Sequence, residues 1–149
     1  GARDFLIAYN INLTTKDEHI AKKIAKQIRT IREKNDGSFE SNLVQHVKAI
    51  GWFMQEFDCA QVSMNITNIE KSPIIDVFSF VKKMAQQFGE NTNGSELIGL
   101  IPLKAFHTKN ALFTTDDLDK KIEYLGLNAV KPFSKEENII EYNLGLNSK

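Results

Sequence analysis

The chain has 149 residues, 42% hydrophobic and 26% charged, with 19 Lys and Arg against 19 Asp and Glu. That length is roughly one domain, enough to bury about 70% of the surface the unfolded chain would expose, and the composition is neither disordered nor strongly charged. The zero balance argues against a nucleic acid or a polybasic membrane contact, because both need clustered, uncompensated cations.

Residues 5–13 alternate Phe5, Ile7, Tyr9, Ile11 and Leu13 with Leu6, Ala8, Asn10 and Asn12. This is a period-two strand with one apolar face and another that ends in two amides. Thr15 opens a helix with Glu18 completing a capping box, and Ile20, Ile24, Ile28 and Ile31 form its apolar stripe. Lys22, Lys23, Lys26, Arg29 and Arg32 lie on its outer side as a solvated face. Residues 35–42, with Asp36-Gly37-Ser38, read as a polar loop. Residues 44–57 are β-prone and aromatic, Asp58-Cys59 makes a tight connection, and residues 60–67 alternate again. There Val62, Met64 and Ile66 face one way, and Gln61, Ser63, Asn65 and Thr67 face the other.

Ser72-Pro73 starts a second helix as N-cap and first helical residue; its stripe of Ile74, Phe78, Val81, Ala85 and Phe88 stops at Gly89. Residues 95–101 read as a strand closed by Pro102. The order strand, helix, strand, strand, helix, strand predicts an α/β (α+β) sandwich of ferredoxin-like βαββαβ type. Its four-stranded antiparallel sheet has both helices on one face. Beyond it, residues 114–125 read as a helix stopped by Gly126, and residues 132–142 as a last short helix or strand. The expected division is a core over residues 4–105 and a C-terminal helical extension over residues 106–149.

A single cysteine, Cys59, excludes an internal disulfide framework and a multi-cysteine zinc site and suits a reducing compartment, so the expected location is the cytoplasm. No apolar run reaches about 18 residues and the N-terminus carries no basic-then-apolar signal pattern. The sequons at Asn12, Asn65 and Asn93 are therefore read as coincidental. The chain starts at Gly1 without an initiator Met, which fits a piece of something longer.

With the helices on the apolar side, the opposite face of the sheet carries Asn10, Asn12, Gln61, Ser63, Asn65 and Thr67, polar yet almost uncharged. Amides and hydroxyls offer donors and acceptors together and suit a neutral heterocycle or amide-bearing ligand better than an ion. A hydrated sheet face or a contact with a second sheet is the competing reading. Glu96, beside Ser95 at the start of the last strand, can orient an N–H or a cation. Arg3 offers a bidentate anchor for a carboxylate. His19, His46 and His107 have no partners in any nucleophile or metal spacing, so no catalytic residue and no metal site are expected. Cys59 reads as an inert thiol.

Four segments then point to a family. The runs GARDFLIAYNINL over residues 1–13, VKAIGW over 47–52, AQVSMN over 60–65 and GSELIGLIPLKA over 94–105 together resemble the C-terminal subdomain of glutamate formimidoyltransferases. The tail is similar as well, from Leu125-Gly126-Leu127 through Pro132-Phe133 to Ile139-Ile140-Glu141-Tyr142. The resemblance implies transfer of a formimino group from N-formimino-L-glutamate to tetrahydrofolate in histidine degradation, with tetrahydrofolate as co-substrate and no metal. It implies two α/β subdomains whose sheets face each other across the folate, a homodimeric enzyme, and a catalytic histidine on the N-terminal subdomain, outside this chain. By that reading this chain is inactive alone and supplies Arg3, Asn10, Asn12, Gln61, Ser63, Asn65, Ser95 and Glu96 to the folate and substrate site. Residues 35–42 and 106–110 depart from the family pattern, and no cyclodeaminase domain follows Tyr142 within the sequence.

The alternative of a different class is a non-catalytic ferredoxin-like module that binds a small metabolite or another sheet. An RNA-binding sheet ranks third, because the open face has amides where stacking aromatics and flanking cations are required.

Overall fold

The computed structural model describes residues 6–108, 118–130 and 132–145. Four strands, β1 (Ile7–Leu13), β2 (Val47–Met54), β3 (Cys59–Ile66) and β4 (Thr92–Leu97), form one sheet in the order β2-β3-β1-β4 with every neighbouring pair antiparallel. Helix α1 (Glu18–Lys34) follows β1 and α3 (Ile74–Gln87) precedes β4, which gives the βαββαβ order and the ferredoxin-like sheet expected from the sequence. Between α1 and β2 lies a six-residue helix α2 (Phe39–Val44).

The register explains which residues are buried. Tyr9 stands opposite Met64 and Leu97, Ile11 opposite Val62, and Ile7 opposite Ile66. These residues are essentially closed to solvent and form one core with Ile24 and Ile28 of α1 and Ile74, Ile75, Phe78 and Val81 of α3. Both long helices therefore sit on the apolar face. Burying Ile24 and Ile28 contributes about 1.5–3 kcal/mol each, more than the roughly 1 kcal/mol of a good cap, so packing rather than end chemistry holds α1 in place.

Several local expectations are corrected. Asp17, rather than Thr15, caps α1: its carboxylate accepts from the His19 amide at 2.9 Å, while Thr15 Oγ1 accepts from the Asp17 amide two residues on, just ahead of the helix. The stretch expected to be loop contains α2, because Ser38 accepts from the Ser41 amide and starts a helical turn that buries Leu43 and Val44. Pro73 takes the N-cap position of α3; the Ser72 hydroxyl is buried and donates to the Leu43 carbonyl instead. Strand β4 begins three residues earlier than the apolar run suggested and ends at Leu97. Only the Ile98 amide, donating to the Ala8 carbonyl, continues the pairing.

Gly51 and Gly94 mark two close approaches. A Cβ on Gly51 would overlap the backbone of Ala21 and Lys22, so α1 crosses β2 directly over this glycine. Gly94 has φ +88° and lies against Ala129 and Val130. Between the pairs Ile11–Ser95 and Leu13–Thr92, the two residues Asn93 and Gly94 oppose the single residue Asn12, which is a β-bulge.

The chain beyond β4 packs onto the same core. After a 3₁₀ turn (Leu103–Phe106), helices α4 (Leu118–Leu125) and α5 (Leu127–Val130) bury Ile122, Leu125 and Leu127. The first part of the helix expected over residues 114–125 lies outside the described residues, and so does the end of the segment 106–110. The last segment mixes both expected forms: short helices α6 (Lys135–Asn138) and α7 (Ile140–Asn143) flank Ile139, which makes a parallel bridge to Ile101. At the opposite side of the sheet, the Arg32 guanidinium donates to the Val47 carbonyl at the start of edge strand β2.

Candidate functional site

The face of the sheet turned away from the helices is built from three rows of side chains read across β2, β3 and β1. They are Trp52-Gln61-Asn12, Ile50-Ser63-Asn10 and Lys48-Asn65-Ala8, and Glu96 extends the second row on β4. The alternation that buries Tyr9, Ile11, Val62 and Met64 forces their neighbours onto this face. Asn10, Asn12, Gln61, Ser63 and Asn65 are thus brought together, flanked by one lysine and one glutamate.

The amides are not equivalent. The Trp52 indole N–H donates to Gln61 Oε1 at 2.8 Å, and Gln61 Nε2 donates to Asn12 Oδ1 at 2.8 Å. Asn10 Nδ2 donates to Glu96 Oε1 at 3.1 Å. Gln61 is 0% exposed and Asn12 4%, whereas Asn10 and Ser63 are half-buried and Asn65 is exposed. Gln61 is therefore spent on its two neighbours and acts through them, while Asn12 keeps its Nδ2 and Asn10, Ser63 and Asn65 keep polar atoms open to a ligand.

Ser95 lies elsewhere. It is on the helix-covered face, fully buried, accepting from the Tyr9 hydroxyl at 2.9 Å and donating to the Leu125 carbonyl. Its place in the amide cluster is therefore withdrawn: adjacent strand residues point to opposite faces, so Ser95 and Glu96 cannot both reach it. Burial pushes the Tyr9 phenol far above its usual range, with the bond to Ser95 only partly opposing the effect. Arg3 lies outside the described residues.

Trp52, which residue patterning did not single out for the site, is the principal addition. Apart from Lys48, both phases of β2 are apolar, Val47, Ala49 and Phe53 against Ile50, Trp52 and Met54, so alternation assigns no clear face. The usable signal was Gly51: a glycine inside a strand marks a close backbone approach, which places the helix on its side and Trp52 on the other. Trp52 and Ile50 are 41% and 61% exposed, and Leu6 and Ile98 at the ends of β1 and β4 are exposed as well, which is unusual for large apolar residues near one sheet face.

The other candidates are placed without such company. His19 and His107 are exposed and His46 is half-buried just before β2. Burial raises the Cys59 thiol above its ordinary range, which disfavours the thiolate. Among the described residues, no cluster of three or more His, Cys, Asp or Glu is arranged to hold a metal ion, and no helix is long and apolar enough to cross a membrane.

Comparison with known proteins adds a family. Residues 8–145 match the formiminotransferase domain. The chain is 39% identical over 153 aligned residues to the formimidoyltransferase-cyclodeaminase of Dictyostelium discoideum, covering 95% of this chain and 28% of that protein. It is 36% identical to the mouse (Mus musculus) protein of the same name, covering 95% of this chain and 27% of that protein. It is 41% identical over 105 residues to the glutamate formimidoyltransferase of Thermoplasma acidophilum, covering 70% of this chain and 32% of that protein. The chain thus spans under a third of the length of these relatives, yet the family match runs through β1, the amide rows, β4 and the C-terminal helices. By that match, the chain belongs to the formiminotransferase domain family.

Proposed function

We propose that this chain is the C-terminal subdomain of a glutamate formimidoyltransferase, in which its open sheet face forms one wall of the tetrahydrofolate site. The enzyme transfers the formimino group from N-formimino-L-glutamate to tetrahydrofolate, a step of histidine degradation, in the cytoplasm and as a homodimer. The observation that carries the reading is the face itself: five amide or hydroxyl side chains in adjacent rows, almost without charge, next to exposed Leu6, Ile50, Trp52 and Ile98. A face of that kind binds a planar, uncharged heterocycle through hydrogen bonds and is completed by a second surface over its apolar rim. The N-terminal subdomain supplies that second surface and the catalytic histidine, so this chain alone is inactive.

In this arrangement the residues of the chain position and desolvate the folate rather than transfer protons. Asn10, Ser63 and Asn65 meet polar edges of the ligand, and Arg3 anchors a carboxylate. The test is the pair Asn10→Ala and Asn65→Ala in the full-length enzyme. Each is expected to raise the Kd for tetrahydrofolate about fivefold, the worth of one net hydrogen bond. Unchanged affinity in both would remove the amide face from the folate site. The family match does not favour the alternative of a non-catalytic metabolite-binding module; full-length protein that binds tetrahydrofolate but has no transferase activity would overturn the transferase reading.

A further inference from the structure

The hydrogen bonds on the open face carry information about direction. An indole N–H only donates, so the Gln61 atom facing Trp52 is the carbonyl oxygen. The Gln61 amide nitrogen must then face Asn12, where it meets Oδ1. That leaves Asn12 Nδ2, which donates to no other group among the described residues and is not sealed from solvent, as the group presented to the face. On the next row the logic reverses. A carboxylate only accepts, so Glu96 draws in Asn10 Nδ2 and leaves Asn10 Oδ1 turned outward. Two asparagines of the same strand, two residues or about 6.6 Å apart along it, thus present opposite atoms to whatever lies above.

We infer that Trp52 is a positioning residue which fixes the donor and acceptor pattern of this face, so that Asn12 offers an N–H and Asn10 a carbonyl oxygen to the bound ligand. The ligand class that fits has an acceptor atom over the Asn12 end and an N–H over the Asn10 end, as the ring edge of an amide-like heterocycle does. Without the indole, either orientation of the Gln61 amide satisfies Asn12, whose own amide can turn to match, and the pattern loses its definition. The bulge at Asn93 and Gly94 lies directly opposite Asn12 and takes the neighbouring β4 side chains out of register there. This inference rests on the folate reading only for the identity of the ligand; the polarity itself does not depend on it.

The experiment has two arms, both on the full-length protein. In the first, side-chain ¹⁵N labelling of Asn and Gln follows amide proton exchange. The expected result is slow exchange at Gln61 Nε2, fast exchange at Asn12 Nδ2, and roughly tenfold faster exchange at Gln61 in Trp52→Phe as its fixed bond is lost. Fast exchange at Gln61 with protection at Asn12, or no change in Trp52→Phe, overturns the assignment. In the second arm tetrahydrofolate is titrated under anaerobic conditions. Asn12→Asp keeps the acceptor for Gln61 but replaces the outward donor by an acceptor, and is expected to weaken binding about tenfold or more. Trp52→Phe is expected to weaken it about threefold, raising KM for tetrahydrofolate with kcat retained. Wild-type affinity in Asn12→Asp overturns the inference while leaving the folate site standing. No binding by the wild-type protein defeats the folate reading instead, and the exchange rates still decide the polarity.

Discussion

Tyr9 and Ser95 form a buried pair that ends on the Leu125 carbonyl, tying β1 to β4 and β4 to the C-terminal helices. Because the folded state holds the Tyr9 proton far more tightly than water does, the unfolded chain loses it first as pH rises. Stability contributed by the neutral phenol is full below the ordinary phenol value of about 10 and falls above it, by up to about 1.4 kcal/mol per pH unit. Urea unfolding of wild type and Tyr9→Phe between pH 9 and 11 should therefore show a steeper alkaline decline in the wild type; parallel curves would contradict the burial. Ser95→Ala should cost about 1–3 kcal/mol at neutral pH because it strands the phenol without an acceptor. Tyr9→Phe leaves the Ser95 donor satisfied and should cost less.

At the scale of elements, the decisive contact is α1 over Gly51. Any Cβ there meets the backbone of Ala21 and Lys22, which cannot swing aside as a side chain would. Gly51→Ala is expected to destabilise the protein by about 3 kcal/mol, the upper end of ordinary overpacking, measured by thermal or denaturant unfolding. A neutral effect would mean that α1 rides higher on the sheet. The same elements explain what could be read in advance. Strands β1 and β3 each bury one face and wet the other, so their period of two was visible, and with it the amide rows. Apart from Lys48, both faces of β2 are apolar, which concealed Trp52. Helix α2 is only six residues long and opens with Phe39 and Glu40 exposed, so it shows no periodic stripe. The start of β4 is polar because it lies on an edge strand, and a bulge with a left-handed glycine there interrupts any alternation. Ser95 was misplaced for that reason: an apolar run without clean alternation does not state which residue faces inward.

The whole molecule is a sheet supported from behind by two layers of sequence, α1 and α3 first and the C-terminal helices second. The second layer reaches β4 through Leu125, Gly126 and Ala129, with the Ser95 amide donating to the Gly126 carbonyl at 3.2 Å. A chain ended after residue 106 is expected to lose hydrogen-exchange protection in β4 while retaining it in β2 and β3, whose pairing does not involve the extension. Uniform loss across the sheet would show that the extension is required for the fold itself. The bulge opposite Asn12 is braced by this layer, so the helices behind the sheet help shape the face in front of it.

The Arg32 bond has a consequence for how this molecule avoids its own copies. Strand β2 is an edge, and a bare edge is a template on which a second chain can add a strand. Because the Thr67 amide already uses the His46 carbonyl on the inner side, the Val47 carbonyl points outward, and Arg32 occupies it from the end of α1. An incoming strand finds its first acceptor taken and a cation in its path. One outward acceptor of that edge is thus capped by a helix residue that the sequence presents as one more member of a solvated basic stripe.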